Sequence, residues 1–409
     1  MPVDLSQCPL EKNTRISPPS MWLWGILFII IFVFFDFLSL NYFSSYLSVN
    51  KFLFWFELAG IPVLIWGSTL FFRLFIWNNS IMKAEQWNAA RNNYYNELVM
   101  KGQKGLEVLK VISITPDEKG RDSRVLSNSL LPMRYTPQKK KFARYLVFHS
   151  SIPSYNNKNY LNKREYYLFC DKIKSVLDEL RLSLYLIPKT AIVTVFCVLP
   201  EHLREIFNNI WMDYIQNLPI KTQVNFCEEF SSALDIWLDD EDTLFDSEQY
   251  LLLFSSVILT TEFYDNDDFD GKTESFTCLL GKKTITGAKV LPANILRRPE
   301  SDYSGIRKSL LWGDIIKTGD LSGVLFSGLN EDEKNKIINM LIDYICIESI
   351  YGFIDCSLLF ANSHPTSELL LTQYALQNVK PGNYLLVTKP NNKILSWSLN
   401  IANNSDGEA

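Results

Sequence analysis

Two stretches of the chain carry almost no polar position. From Met21 to Phe35 every residue except Gly25 is apolar, and the run continues to Leu40 with Asp36 as its one charge. It supplies about 20 residues, the length an α-helix needs to cross a hydrocarbon layer about 30 Å thick. The second run, Phe52 to Trp77, carries Glu57 near its start and Arg73 near its end. Both charges stand close enough to an interface for the Arg73 stem to snorkel and for Glu57 to avoid the bilayer centre. Asn41 to Lys51 leaves only a tight loop between the runs. Trp22, Trp24, Tyr42, Tyr46, Trp55 and Trp77 fall where interfacial aromatic belts belong. A cleaved leader has a shorter apolar core and no second span behind it. A core helix of a soluble protein keeps a polar stripe, and these runs have none.

After the spans the pattern changes period. Trp87, Ala90, Tyr94 and Leu98 recur at three- and four-residue spacing among Lys, Glu, Asn and Arg, which predicts a stalk helix ended by Gly102 and Gly105. Leu106 to Ile114 alternates and is β-branched, as a first strand would be. Further on, Phe142 to Ser150 reads as a strand and Asn162 to Leu182 as a helix. Ala191 to Leu199 reads as an apolar strand and Pro200 to Leu218 as an amphipathic helix opened by proline. Glu331 to Ile345 predicts a helix with acidic residues in its first turn, where the dipole favours them, and Asn383 to Lys389 with Ile394 to Ser398 predict closing strands. AIVTVFCVL, LLLFSSVIL and GVLFS are apolar on both faces, the signature of strands covered on both sides. The fold class expected is therefore α/β: an N-terminal transmembrane helical hairpin followed by a cytosolic α/β domain with a mixed sheet. The expected boundaries are 1-20 for a flexible cytoplasmic tail, 21-77 for the hairpin, 78-104 for the stalk, 105-400 for the α/β domain and 401-409 for a disordered tail.

Charge fixes orientation. Lys12 and Arg15 precede the first run and Lys83, Arg91, Lys101 and Lys104 follow the second, against Lys51 alone between them. Both termini are expected on the cytoplasmic side of a bacterial inner membrane, with the lipid bilayer as one partner. The net charge of −5 gives no footprint for nucleic acid. Seven cysteines without CxxC pairs read as reduced, mostly buried thiols rather than a disulfide framework.

The chemical candidates are thin. Gly271-Lys272-Thr273 ends like a phosphate loop, but the carboxylates of Asp265 to Asp270 just upstream would repel phosphate. That acidic run partly matches a calcium loop, except that Thr277 stands where a bidentate Glu belongs. Asp239 to Asp242 and Lys139-Lys140-Lys141 read as solvated charge. Glu201-His202-Leu203-Arg204-Glu205 lacks the second histidine of a metalloprotease helix. His149, His202 and His364 are the only histidines, and His149 ends a predicted strand, where a catalytic residue can stand but a lone histidine is more often structural. Asp36 is a candidate partner for Arg73. No catalytic, cofactor-binding or metal-binding residue is assigned.

The order of parts resembles that of two-span inner-membrane proteins encoded in bacterial type VI secretion clusters. The likeness rests on Trp87-Asn88-x-x-Arg91 in the stalk, the Gly105-Leu-Glu-Val opening, Glu274 to Leu280, Arg297-Arg298-Pro299 and Ser327-Gly328-Leu329. Their α/β part is likened to the thiolase and ketosynthase fold, so the resemblance implies a degenerate thiolase-like domain. Such an enzyme would need a cysteine nucleophile on a sharp strand-to-helix turn with histidines beside it, and no cysteine here stands in a glycine-rich turn. The expectation is a membrane-anchored, non-catalytic adaptor of a type VI secretion system that presents its domain to a protein partner, with no cofactor and homo-oligomerisation left open. The alternatives are an immunity protein or a membrane-face enzyme acting on a lipid-linked substrate.

Overall fold

A computed structural model describes the chain except residues 1–2, 16, 43–51, 53–54, 118, 125–132, 137–140, 150–157, 217, 241–247, 260–271, 285–292, 317–318, 343, 345–351, 361–363 and 403–409. The acidic run Asp265 to Asp270, Lys139-Lys140, the loop between the apolar runs and the last seven residues lie outside the described residues. The chain divides into two units, Asp4–Leu98 and Val99–Ala409 with the first three residues.

In the smaller unit, helix α1 (Met21–Tyr42) and helix α2 (Ile61–Gly102) are each long and apolar enough to cross a membrane. In the apolar window Met21–Leu38 none of the residues is buried. Where α1 and α2 meet, Trp66 donates Nε1 to the Trp24 carbonyl at 2.9 Å and meets the Phe28 ring edge-on at 5.1 Å. Asp36 Oδ1 has no hydrogen-bond partner among the described residues.

The leading segment, expected to be a free tail, is held along the stalk. Asn88 accepts from the Lys12 N–H and donates to the Lys12 carbonyl, both at 2.9 Å. Arg91 donates to the Pro9 carbonyl at 2.9 Å and pairs with Glu11, Trp87 donates to the Leu10 carbonyl, and Lys12 Nζ stands 4.1 Å over the Trp87 ring. The Trp-Asn-x-x-Arg spacing is thus a peptide clamp on one helix face.

The larger unit is a mixed α/β fold on a 12-stranded sheet. Its chain repeats one plan twice. The first half runs β1 (Gly105–Pro116), α3 (Lys158–Tyr185), β5 (Ile192–Val198), α4 (Glu201–Ile215), β6 (Lys221–Phe226), α5 (Phe230–Asp239), β7 (Gln249–Val257) and β9 (Ser275–Lys283). The second runs β10 (Ile295–Arg297), α6 (Asp302–Trp312), β12 (Gly323–Ser327), α7 (Glu331–Leu341), β13 (Phe353–Asp355), α8 (Ser357–Phe360), α9 (Ser367–Asn378), β14 (Gly382–Thr388) and β15 (Leu395–Ile401). In space the halves read β6-β5-β7-β9-β1 and β13-β12-β14-β15-β10, the same order, with only the fourth strand, β9 or β15, running against the other four. The first strands of the halves, β1 and β10, pair antiparallel and join them. Short strands β2 (Asp122–Ser123) and β11 (Glu300–Ser301) extend the sheet, and β3 (Met133–Thr136), β4 (Lys141–Leu146) and β8 (Lys272–Thr273) form a separate one.

The side-chain alternation of the strands sorts the core into layers. In β7, Leu252 and Phe254 join α3 and α4 in one cluster while Leu251 and Leu253 join α5 and α9 in another. In β12, Leu325 points to the α5 and α9 cluster while Val324 and Phe326 meet α6 and α7. Two half-sheets thus share a central helix layer and each carries an outer helix layer, which is why β5, β7 and β12 are apolar on both faces.

Glu274, between β8 and β9, is fully buried. It accepts from Arg164 Nη1 and Nη2 at 2.8 Å each, from the Phe148 N–H at 2.7 Å and from the Leu259 N–H at 3.1 Å. Replacing Glu274 by Ala strands the Arg164 guanidinium, itself 2% exposed, and is expected to cost about 3–5 kcal/mol in urea unfolding, whereas joint replacement of Arg164 by Met and Glu274 by Leu costs far less.

Candidate functional site

The carboxyl ends of β5, β6 and β7 are where a parallel sheet leaves a crevice, because the connection from β5 goes to β6 on one side while β7 lies on the other. A cavity of about 280 Å³ opens there. Its walls are Val198, Leu199, Pro200, Val257 and Ile258, its rim carries Glu201, Arg204 and Glu228, and it is also lined by Cys227 and His364.

Cys227 is the first residue after β6, on the turn into α5. Its N–H donates to the Cys197 carbonyl at 3.1 Å, which continues the parallel ladder by one residue, and its thiol points to the same oxygen at 3.8 Å. Glu229 caps the helix in extended conformation, so the chain reverses from strand to helix within three residues and sets the thiol near the positive end of the helix dipole. Burial nevertheless pushes the Cys227 thiol up to about 11, with Arg204 drawing it back in part. A thiol so placed reacts at neutral pH only when a base takes its proton.

The imidazole of His364 is the group in the cavity that can do so. Asn391 Nδ2 lies 3.2 Å from His364 Nε2. An amide nitrogen donates, so Nε2 accepts and the ring proton is assigned to Nδ1. Two anchors hold this pair. Thr366 and Ser275 share a 2.6 Å hydroxyl contact that ties the His364 turn to β9. Lys389 pairs with Glu333 at 2.6 Å beside the Pro390–Asn392 turn, where Asn391 (φ 46°) and Asn392 (φ 63°) adopt the left-handed conformation that asparagine tolerates better than most residues. The set Cys227, His364 and Asn391 has the parts that nucleophilic acyl chemistry needs: a thiol, a base, and two nitrogens side by side that can meet a developing oxyanion.

The second half shows what the site is not. Cys356 follows β13 as Cys227 follows β6, and its N–H donates to the Phe326 carbonyl at 2.8 Å in the corresponding place. Beside it Lys334 pairs with Asp355 at 2.6 Å and Glu331 at 2.8 Å. Burial pushes the Cys356 thiol far up, and it is fully buried.

The other sequence candidates lie elsewhere. His149 is exposed and its N–H donates to the Gly120 carbonyl. His202 faces Glu165 at 2.8 Å on the surface of α4. Lys272 and Thr273 form a two-residue strand against β4 instead of a phosphate loop. Asp239, expected to be solvated charge, pairs with fully buried Arg298. No group of three or more metal-ligating side chains occurs among the described residues. No cysteine was expected in a glycine-rich turn, and Cys227 stands at a strand-to-helix turn that has no glycine.

No protein-family model and no curated protein matches this sequence. Solved structures do. OleA of Xanthomonas campestris with cerulenin bound is 10% identical, with 74% of this chain and 98% of that one covered and a TM-score of 0.42. The 3-oxoacyl-[acyl-carrier-protein] synthase III of Aquifex aeolicus is 11% identical, with 72% and 100% covered and a TM-score of 0.40. The tetronic acid condensing enzyme AbyA1 is 12% identical, with 72% and 99% covered and a TM-score of 0.39. The α/β part is thus similar to thiolase-like condensing enzymes in fold. The expected non-catalytic type VI secretion adaptor is corrected to this extent: the solved structures similar in fold include a condensing enzyme and a synthase by name, and none of the three is named as a secretion component.

Beside α5, burial raises the Asp235 carboxyl to about 7 despite Arg298, whose Nε is 3.7 Å away, while Asp239 takes the closer contact and is held below the usual range. A raised carboxyl binds its proton more tightly in the folded state, so the stability it carries is full below pH 4 and is lost as pH rises through 7. A displacement from 3.8 to about 7 corresponds to at most about 4 kcal/mol, and partial exposure reduces it. Asp235→Asn is expected to stabilise the protein by about 2 kcal/mol at pH 8 and to change nothing at pH 4, read from thermal melts at both values.

Proposed function

We propose that this chain is an acyl-transfer enzyme that works through a thioester on Cys227, and that α1 and α2 anchor it in a membrane. The single observation that carries the first part is that Cys227 and His364 line one apolar-walled cavity at the strand ends. In the step proposed, the Cys227 sulfur attacks the carbonyl carbon of an acyl thioester and its proton passes to His364 Nε2. The tetrahedral oxyanion is met by donors at the imidazole and the Asn391 amide. Collapse expels the donor thiolate, which recovers the proton from His364. The acyl group is then held against Val198, Leu199, Val257 and Ile258 until an acceptor removes it. About 280 Å³ admits a short or medium acyl chain.

Acyl transfer is tested by incubating the detergent-solubilised protein with coenzyme A thioesters from two to ten carbons and measuring the mass of the Cys227 peptide. The expected result is an acyl increment on Cys227 that His364→Gln reduces about 100-fold in rate and Cys227→Ala abolishes. Absence of any increment, with Cys227 still open to iodoacetamide, would overturn the reading.

The anchor is supported by the exposed apolar surface of both helices and by the Lys and Arg balance, which favours both ends on the cytoplasmic face. Cysteines introduced one at a time at Ser45 and at exposed Lys119 test it in a cysteine-poor background: an impermeant maleimide added to intact cells should label the first and not the second. Labelling at position 119 alone would reverse the orientation.

A further inference from the structure

Glu368 is the first-turn acid of α9 and is 2% exposed. Its described polar neighbours are the Ser367 hydroxyl at 3.3 Å from Oε2 and His364 Nδ1 at 3.9 Å from Oε1. His364 Nδ1 is shielded from solvent and makes no hydrogen bond. Two observations therefore meet at one gap. The Asn391 contact assigns the imidazole proton to Nδ1, and the group facing Nδ1 is a buried carboxylate just beyond hydrogen-bond length.

We infer that Glu368 is a positioning residue for His364: its carboxylate holds the Nδ1 proton and so keeps Nε2, which meets the Asn391 amide at rest, as the ring nitrogen that takes up the Cys227 proton. The inference rests on the reading that His364 serves Cys227. A carboxylate behind an imidazole fixes the tautomer and strengthens the distal nitrogen as a base. Such contacts are often long in a resting site and close when the base takes up its proton. Glu368 stands in the first turn of α9. The other charged groups that line the cavity are Glu201, Arg204 and Glu228.

The test is the pH dependence of Cys227 alkylation by iodoacetamide, read as the rate of mass gain on its peptide between pH 6 and 10 in the full chain. Wild type, His364→Gln, Glu368→Gln and Glu368→Asp are compared. Glu368→Gln keeps shape and should lower the rate about tenfold at pH 7, with the deficit shrinking toward pH 10 as the thiol ionises without help. Glu368→Asp should recover part of it. A Glu368→Gln profile equal to wild type, with His364→Gln still slow, would overturn the inference and leave the site reading standing. So would a deficit equal at every pH, since that is packing damage rather than base positioning. If His364→Gln matches wild type, both fail.

Discussion

A fully buried carboxylate among strands that are apolar on both faces is an expense the fold must compensate, and Glu274 does so by accepting four hydrogen bonds from three separate segments. Arg164 brings α3, Phe148 brings the end of β4, and Leu259 brings the chain leaving β7. These are the segments that hydrophobic packing alone would leave free to slide, because Val, Leu and Phe tolerate many registers. A bidentate guanidinium tolerates one. Ser275, the next residue, carries the hydroxyl contact to Thr366. One charged group thereby sets the height of β9 against β7 and, two residues upstream of Thr366, the place of His364.

The two halves end in comparable turns with different surroundings. Both halves end their first parallel strands in a turn that carries a cysteine, and both turns donate an N–H to the strand beside them. In the first half the positions around the turn are Val, Leu, Pro and Ile, which leave a hollow when nothing apolar fills it. In the second half the Lys334 ammonium stands between Asp355 and Glu331, and Glu333 on the same helix pairs with Lys389 beside the turn that presents Asn391.

Much of this architecture was legible in the chain. The apolar runs at 21–40 and 52–77, the double-faced strands and the helices with apolar stripes follow from period and length, and the α/β class follows from them. What stayed hidden has physical causes. Helix α9 shows no stripe because it lies in the central layer, where Ser367 to Ala375 are all buried; a helix covered on every side has no polar face to announce it. Strand β6 sits at the sheet edge and reads as KTQVNF, too polar for the apolar template. Glu274 was visible as part of a motif but not as the partner of Arg164, 110 residues away. The site suffered most, since Cys227 and His364 are separated by 137 positions (364 − 227) in the numbering and join only after both halves close.

The absence of a glycine-rich turn argued against a nucleophile, yet the strand-to-helix turn at Cys227 is built without glycine. Glycine is needed in such a turn when the backbone must take a positive φ or when another chain comes within Cβ distance. At Cys227 neither holds. The turn is entered by prolonging the β5–β6 ladder one residue and left through Glu229 at φ −135° and ψ 141°, a conformation open to any side chain. Left-handed geometry is found instead beside His364, at Asn391 and Asn392. A thiol can thus stand at a strand-to-helix turn of ordinary geometry, and a search for a glycine-rich motif will pass it by.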